Sequence, residues 1–432
     1  MGFIGIVVGL LILSVMMIVH ELGHYLTGRR LGFAIEEFSI FMGPVLFSKE
    51  KNGIKYSIKL FPIGASVRFA GEFDDDDQDK HPDHFFNRPR WARALVIGTG
   101  PALNLLSGVL AFFIMFVSFG YTLPVLDTVP ADSQAAAVGL EAGQRIVRVN
   151  GKPVRTTLDY SGQVMFLPGD EPLAVQVRTT GGETNDLILQ PAWRDAYRLG
   201  ITIRRDEQQR IVIDAVEPDS NGGQPVLKAQ DILLAANNVP VDDMAAFSAA
   251  VEASAGGPLE IRILRDGQEQ TVTMRATLYH DLVDRGIYFT VGQSVGPAIG
   301  QAFQWSWSIV KVTVRSIGMM FSGSIRPQDT LSGPVGVVSM ISDVVTQSQP
   351  LSEKIYQLLW MFALISVSLG FMNLLPIPPL DGNHLVLIVL ETIRGRRLSA
   401  RVQNLIGIVG IALIVMLALA GLLFDILRLA GR

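Results

Sequence analysis

Apolar residues are concentrated in four long runs, and each run is long enough to cross a lipid bilayer. The runs cover residues 2–25, 94–120, 355–375 and 405–427. A transmembrane helix needs about 20 mostly apolar residues, so the pattern predicts four spans. The first run has neither a basic start nor a small-x-small cleavage site, which favours a retained span over a cleaved signal peptide.

The composition agrees with a membrane protein that carries water-facing domains. Of the 432 residues, 49% are hydrophobic and only 18% are charged, which is too apolar for an ordinary soluble protein. The net charge of −4 indicates no particular partner, and nothing indicates a nucleic-acid ligand. The chain has no cysteine, so any metal ion must be held by His, Asp or Glu.

Arginine residues near the ends of the spans predict the orientation. Arg29 and Arg30 follow the first span, three arginines precede the second, and four lie between the third and fourth. Basic loops stay cytoplasmic, so both termini and residues 121–350 are expected outside. Residues 296–321 are also apolar, but Lys311 and Arg315 share one helical face. This pattern predicts a helix at the membrane interface or packed on the outer domain.

The outer segment contains a repeat. "DTVPADS" (127–133) recurs as "DAVEPDS" (214–220), and "GQRIVRVNGKPV" (143–154) recurs as "QDILLAANNVPV" (230–241). Alternating apolar residues around short turns predict strands, and one helix is expected in each copy, which gives two α+β domains.

Both copies resemble PDZ domains. PDZ domains capture extended peptides along a strand edge, so either copy could bind peptide or act only as a spacer. The second copy has Asn238 where the first has Gly151 and lacks a clean Gly-Asp turn, which counts against peptide binding by this copy.

The sequence "HELGH" places His20, Glu21 and His24 at the end of the first span. Positions i and i+4 share a helix face, so the two imidazoles can bind one ion, and Glu21 can act on a bound water as a general base. The alternative is a chance match in which the histidines are satisfied core residues. Three unpaired polar groups would be costly in an apolar span, which favours the metal site.

A third protein ligand is expected, and Asp381 is the best candidate. It follows the third span in "NLLPIPPLDG" (373–382), on a proline-rich turn, although it could instead cap the next helix. With only one span between the first and the third, Asp381 lies on the same membrane side as His24. A crossing by 296–321 would place it on the opposite side, so the metal site and the four-span count support each other.

These motifs, with "GPALN" (100–104) and "LSGPVG" (331–336), resemble the site-2 protease family of intramembrane zinc proteases over essentially the whole chain. The resemblance implies Zn²⁺ held by His20, His24 and Asp381, with Glu21 as catalytic base. It also implies cleavage inside the transmembrane segment of a single-span protein. Bacterial members suggest an anti-sigma factor, cut after prior trimming, and remnant signal peptides as substrates. They further imply an inner-membrane location with the active site near the cytoplasmic side and the PDZ-like domains and termini periplasmic.

A helical peptide bond must unwind before cleavage, and unwound backbone in lipid needs partners. Residues 54–72 show strand-like alternation and resemble the family's membrane-associated β-element, which could pair with substrate; a hairpin without a role is the alternative. The expected substrate contacts are Ile63, Gly64, Ala65, Ser66 and, as a side-chain donor, Asn373. Asn104 is expected to tie helices together. The outer domains are expected to exclude substrates with large outer parts.

Three other histidines are weaker candidates. His81 and His84 lie in the acidic stretch 72–84, where a solvated loop is favoured over a second metal site. His384 could support Asp381 or be an exposed helix position.

Two other functions remain open from the residues alone: a membrane zinc transporter and a non-catalytic PDZ adaptor. Transport does not need the Glu at the second position of the motif, and an adaptor needs none of the catalytic residue types.

The predicted fold is therefore a polytopic α-helical membrane protein with four transmembrane helices, a membrane-associated β-element and two α+β PDZ-like domains. The predicted segments are a catalytic membrane half (1–120), a first PDZ-like domain (121–205), a second (206–292), an amphipathic helix and linker (293–350) and a second membrane half (351–432).

Overall fold

The computed structural model describes residues 2–71, 81–165, 167–206, 208, 210–242, 244–325, 333–347 and 349–429. The chain divides into two compact units. The first contains Met1–Leu123, Arg155–Gly162 and Val291–Arg432, and the second contains Pro124–Val154 and Gln163–Thr290.

The N-terminal part contains two long helices with a β-element between them in the sequence. In chain order its elements are α1 (Phe3–Arg30), β1 (Ile35–Lys51), β2 (Ile54–Phe69), a short 3₁₀ turn (Phe85–Asn87) and α2 (Arg90–Phe119). Arg29 and Arg30 occupy the last turn of α1, where positive charge is favourable against the exposed carbonyl groups.

Strands β1 and β2 are both bent, so that each contributes two segments to a small sheet that is larger than a simple hairpin. Glu37 lies opposite both Arg68 and Lys55, and the next three residues of β1 also have partners on two sides. Segment 35–42 is therefore central, and segment 61–69 lies at an edge. Gly64 has a φ of +87°, which lets the backbone bend at the start of this edge segment.

The repeat region is almost entirely short strands. The first copy contributes β3 (Tyr121–Leu126), α3 (Gln134–Ala137), β4 (Arg145–Val149), β5 (Lys152–Pro153), α4 (Thr157–Val164), β6 (Leu173–Arg178) and β7 (Thr184–Leu189). Then follow β8 (Trp193–Arg198), β9 (Ile201–Arg205), β10 (Ile211–Val216), α5 (Ser220–Gly223), β11 (Ile232–Ala236), β12 (Val239–Pro240), α6 (Met244–Ala253), β13 (Pro258–Arg265), β14 (Gln268–Arg275), β15 (Thr277–Leu282) and β16 (Phe289–Gly292).

The two copies are nested, because the second copy lies in the sequence between β7 and β16, two strands of the first sheet. The first sheet has the order β16-β3-β4-β6-β7, with β5 paired to β4, and the second has the order β14-β13-β11-β10-β9, with β12 paired to β11. A two-stranded ribbon, β8–β15, flanks the second sheet in the sequence.

This topology differs from the predicted segment boundaries at two places. The division between 205 and 206 falls inside the β9–β10 pair, and β16 joins the first sheet although it was assigned to the second copy. Strands β3 and β16 pair although about 160 residues separate them, and such pairing leaves no local signal in the sequence. The predicted boundaries therefore did not include it.

The C-terminal part is helical. Its elements are α7 (Val295–Phe321), α8 (Pro334–Thr346), α9 (Leu351–Asn373), α10 (Asp381–Arg394) and α11 (Ala400–Leu429). Within the described residues, four helices are long and apolar enough to cross a membrane: Phe3–Arg30, Arg90–Phe119, Leu351–Asn373 and Arg401–Asp425. The four predicted spans are thus confirmed as helices of this kind, and α7 is not among them.

Helix α7 packs on α2 and α9. The contact is built from aromatic rings, with Trp305 close to Phe112, Phe116 and Trp360. Further along α7, Lys311 forms an ion pair with Asp159, at 2.5 Å between Nζ and Oδ1.

Helix α8 lies in the segment predicted as a linker and packs closely on α1. A Cβ built on Gly5 would lie 2.6 Å from the Cα of Ser342, and one on Gly9 would lie 3.1 Å from a Val338 methyl group. Two glycines four residues apart therefore let the two helices approach at backbone distance. Residues 331 and 332 of the "LSGPVG" motif lie outside the described residues.

Candidate metal centre

The candidate site lies where α1 and α2 approach most closely. A Cβ built on Gly23 would lie 2.4 Å from the Thr99 carbonyl oxygen, and one on Gly100 would lie 2.3 Å from Nε2 of His24. The imidazole of His24 therefore packs directly against the backbone of α2 at Gly100. Any side chain at Gly100 would occupy the volume of that ring.

Three ligand atoms meet at this point. Nε2 of His20 lies 3.0 Å from Oδ2 of Asp381 and 3.1 Å from Nε2 of His24, and His24 Nε2 lies 3.5 Å from the same Asp381 oxygen. Zinc ligands about 2.0–2.1 Å from a tetrahedral ion are about 3.3–3.4 Å from one another. The three donors therefore have the spacing that one zinc ion requires. They are the group of His and carboxylate residues with metal-binding geometry among the described residues.

The other ring nitrogen of His24 supports this arrangement. Nδ1 lies 2.9 Å from the carbonyl oxygen of Val96, which can only accept a hydrogen bond. The proton of a neutral ring therefore belongs on Nδ1, and the lone pair of Nε2 is directed toward His20 and Asp381.

Two amides surround His20. Nδ1 of this ring lies 3.5 Å from the side-chain amide of Asn104 and 3.4 Å from that of Asn373. Asn104 is completely buried, and its Oδ1 has no hydrogen-bond donor in the part of the chain that the structure describes. Rotation of this amide by 180° would present Oδ1 to an Nδ1–H group and satisfy both atoms. Asn104 was predicted as a structural tie between helices, and its position is also that of a residue that orients His20.

Asp381 is the first residue of α10 and follows a tight turn. A Cβ built on the next residue, Gly382, would lie 2.2 Å from the carbonyl oxygen of Leu374, so the turn requires glycine there. Oδ2 of Asp381 is buried and finds no hydrogen-bond donor of acceptable geometry within the described ranges, as expected for an oxygen that a cation would complete. Burial alone would raise the pKa of this carboxyl, but the facing imidazoles hold it below its ordinary value.

Glu21 is fixed by the β-element. Its Oε2 accepts a hydrogen bond of 3.0 Å from the backbone N–H of Val67, in the edge segment 61–69. The carboxylate of the motif is thus held between the candidate ligands and the edge of the sheet.

The predicted substrate-contact residues lie in two places. Ile63, Gly64, Ala65 and Ser66 form part of the edge segment, whereas Asn373 lies beside His20. Ala65 is buried, Ile63 is exposed, and the Ser66 hydroxyl pairs with that of Ser39 at 2.8 Å. The hydroxyl of Ser14 on α1 donates to the Pro62 carbonyl at 2.7 Å and ties the edge to the motif helix.

The weaker histidine candidates lie outside this cluster. His81 is exposed and pairs with Asp83 at 2.8 Å, and its ring stacks with that of His84. Residues 72–80 of the acidic stretch lie outside the described residues. His384 is an exposed position on α10 that borders a small cavity with Arg93 and Glu391.

Comparison with known proteins decides the family. The model of peptidase family M50 matches residues 8–417. The chain belongs to peptidase family M50. This is the site-2 protease family that the motifs predicted, so the chain is a zinc metalloprotease, and the predictions of enzyme class and zinc dependence are confirmed.

Several curated relatives match along almost their entire length. The regulator of sigma-E protease RseP of Escherichia coli is 29% identical over 444 residues, which cover 96% of this chain and 97% of the relative. A candidate zinc metalloprotease of Neisseria meningitidis is 29% identical over 437 residues (95% and 96%). The metalloprotease MmpA of Caulobacter vibrioides is 28% identical over 444 residues (96% and 93%).

Proposed function

We propose that this M50 peptidase cleaves transmembrane segments of single-span membrane proteins, with His20, His24 and Asp381 as zinc ligands and Glu21 as general base. The meeting of three ligand atoms from α1 and α10 within 3.0–3.5 Å carries the proposal. Bound zinc would supply a Lewis acid that polarises the scissile carbonyl and acidifies water.

The remaining chemistry belongs to side chains of this chain. Glu21 accepts the proton of the attacking water and passes it to the leaving amide nitrogen. Its hydrogen bond to Val67 keeps the carboxylate beside the edge segment, where substrate backbone would lie. Asn104 and Asn373 orient His20, and the Asn373 amide could additionally donate to the oxyanion.

The edge segment 61–69 is the proposed binding strand for unwound substrate. It has a strand partner in β1 on one side, and it lies next to the motif helix through Ser14 and Glu21. A substrate strand added there would gain backbone hydrogen bonds that lipid cannot supply, and its peptide bonds would lie next to Glu21.

Catalysis is tested by reconstituting the full chain with a single-span model substrate. We expect Glu21→Gln to retain stoichiometric zinc and to lose cleavage by a factor of about 10²–10⁴. Asp381→Asn should lose both zinc and cleavage. Glu36→Gln is the matched control, because Glu36 is an exposed carboxylate that pairs with Arg68 on the same β-element. Zinc loss in Glu21→Gln, or full zinc retention in Asp381→Asn, would contradict the assigned roles.

The substrate strand is tested by disulfide cross-linking, which the cysteine-free chain makes clean. A single cysteine at Ile63 should cross-link to single-cysteine substrates with a periodicity of two residues. Phe47 is the matched control: it is also exposed, but it lies in segment 45–51 at the opposite edge of the sheet. Equal cross-linking at Phe47 would overturn the edge assignment.

The natural substrate that we propose is an anti-sigma factor, cut after an earlier protease has removed its outer part, with remnant signal peptides as a second class. RseP, the relative from Escherichia coli, is named a regulator of sigma-E protease, which supports this choice. We also propose an inner-membrane location with the repeats and both termini periplasmic.

The nested repeats are the proposed size filter, and the second copy is a proposed peptide-binding PDZ-like domain. An apolar groove of about 320 Å³ lies between α6 and strands β8 and β9, lined by Ile201, Ile203, Met244, Phe247 and Val251. Replacing 125–290 by a short linker should allow cleavage of untrimmed substrate. If the deletion leaves untrimmed substrate uncut while trimmed substrate is still cleaved, the filter hypothesis fails.

A further inference from the structure

A basic cluster joins the start of α2 to α10 at a point remote from the ligand atoms. Arg93 is buried and donates to both oxygens of Glu391, at 2.9 and 2.8 Å. Arg90 donates to the same carboxylate at 3.2 Å, and Arg397 lies 3.7 Å from it. One carboxylate therefore faces three guanidinium groups.

The positive charge exceeds what Glu391 neutralises. Residues 88–93 contain three arginines and residues 394–401 contain four, and neither stretch contains Asp or Glu. Nη2 of Arg90 lies 3.1 Å from the carbonyl oxygen of Gly395, so Arg90 contacts the backbone between Arg394 and Arg396. Nε of Arg93 is buried and has no hydrogen-bond partner among the described residues. An anion is the partner that this charge distribution fits.

An open groove lies beside the cluster. It has a volume of about 630 Å³ and is lined by Arg90, Trp91, Ala94, Ile388 and Thr392. This lining combines a guanidinium and a hydroxyl group with apolar side chains, which matches a molecule with an anionic head and a hydrocarbon tail. Trp91 is 64% exposed at the beginning of a span, the position where tryptophan meets lipid headgroups.

Helix α10 has the features of a helix that lies in the membrane interface. At 14 residues it is too short to cross a bilayer. Val386, Val389, Leu390 and Ile393 are exposed and recur at positions i, i+3, i+4 and i+7, so they form one apolar stripe. An amphipathic helix with a basic end binds anionic membranes through both features.

We propose that this groove binds an anionic phospholipid. The headgroup phosphate would lie against Arg90, Arg394 and Arg396, and an acyl chain would follow Ala94 and Ile388. Basic pockets between membrane helices bind such headgroups, and arginine forks pair with phosphate in two-point contacts. The site lies at the C-terminal end of the helix that begins with Asp381, about 20 Å along its axis.

The test measures lipid retention by the full chain in dodecylmaltoside micelles. Phosphatidylglycerol and phosphatidylcholine with identical acyl chains are titrated, and native mass spectrometry counts the lipids that remain bound. We expect one phosphatidylglycerol to be retained at least tenfold more tightly than phosphatidylcholine. Arg394→Gln with Arg396→Gln should weaken this preference roughly tenfold to thirtyfold. The double variant leaves the ion pairs of Glu391 with Arg90, Arg93 and Arg397 intact.

Two control variants sharpen the result. Lysine at both positions should keep the preference, since lysine retains the charge. Arg204→Gln with Arg210→Gln removes equal charge from exposed positions in the second copy and should change nothing. Equal retention of the two lipids, or an unchanged preference in the Arg394/Arg396 variant, would overturn the proposal.

Discussion

The two copies of the repeat use different residues to make the same turn. In the first copy, Asn150 and Gly151 have φ angles of +47° and +74°. In the second, Asn237 and Asn238 have φ angles of +44° and +66°. Asparagine tolerates the left-handed region better than other residues with a side chain, so the glycine is replaceable here.

The hydrogen bonds of the turn are also repeated. Oδ1 of Asn150 accepts from the backbone N–H of Ala174 at 3.1 Å, and Oδ1 of Asn237 accepts from that of Glu260 at 2.9 Å. The sequence difference at Asn238 suggested a degraded turn in the second copy. The backbone is the same, so this position gives no reason to regard the second copy as less able to bind peptide.

The copies differ in the side chains just before the strand that precedes this turn, which is β4 in the first copy and β11 in the second. Asp231 in the second copy is 2% exposed and takes two hydrogen bonds from Arg265, at 2.8 and 2.6 Å. Strand register places Gln144 and Thr179 at the matching positions of the first copy. The same fold therefore depends on an ion pair in one copy and on neutral side chains in the other.

The largest expected effect comes from breaking the ion pair. Arg265→Leu leaves the carboxylate of Asp231 buried without its cation, which should destabilise the second copy by about 3 kcal/mol. Hydrogen exchange of the full chain should show faster exchange in β11 and β13. Strands β4 and β6 serve as the internal control. Equal acceleration in both copies would mean that the pair is not local in its effect.

Low pH should also destabilise the second copy more than the first. Burial would raise the pKa of Asp231, but the hydrogen bonds from Arg265 and from the Lys228 backbone hold it below its ordinary value. A lowered pKa contributes stability above the unfolded value of about 3.9 and loses it as the pH falls through the folded value. Below about pH 4 we expect pepsin to cut the second copy first. Asp231→Asn should remove this pH dependence; its persistence would exclude Asp231 as the cause.

A smaller effect is expected where α4 meets α7. Asp159 is buried, pairs with Lys311 and accepts from the backbone N–H groups of Arg155 and Thr156. The matching residue of α6 is Ala246, so the second copy has no such carboxylate. Lys311→Met should destabilise segment 155–162 by only about 1 kcal/mol, because Lys311 is partly exposed and the backbone donors remain.

Hydrogen exchange of 155–162, compared with 244–253, measures this change. Lys152→Met, at an exposed position of the first copy, is the matched control. Faster exchange in 244–253 would show that the helices are not independently held.

The smallest effect should come from the turn itself. Asn238→Gly should change the free energy of unfolding by less than about 1 kcal/mol, because the left-handed backbone suits both residues. Asn238→Val should cost more, since a β-branched residue is strained there. Urea unfolding of the purified chain measures both variants. A large loss on glycine substitution would show that the Asn238 side chain has a role that its backbone angles do not explain.

The candidate ligands were predictable from two features of the sequence, helix spacing and the number of spans. The spacing of His20 and His24 fixes a shared helix face, and the parity of the spans brings Asp381 to the same membrane side. The contacts of Asn104 and Val67 with this cluster were not predictable, since each depends on how separate elements pack. The sequence signal available for Asn104 was an amide within an otherwise apolar helix.

The fold shows the same division. Long apolar runs identified the four helices, whereas β1 and α8 were missed because their patterning is weak over the residues concerned. The entry of β16 into the first sheet depends on pairing with β3, which no window of sequence contains.

That pairing has a consequence for how the chain is assembled. The backbone leaves α2 at Gly120 and returns before α7 at Gly292, and a Cβ on the first glycine would lie 2.9 Å from the carbonyl oxygen of the second. The two glycines therefore lie next to each other, and residues 121–291 form an insertion whose two ends are in contact. Such an insertion can change in length without moving the ends of α2 and α7 that flank it.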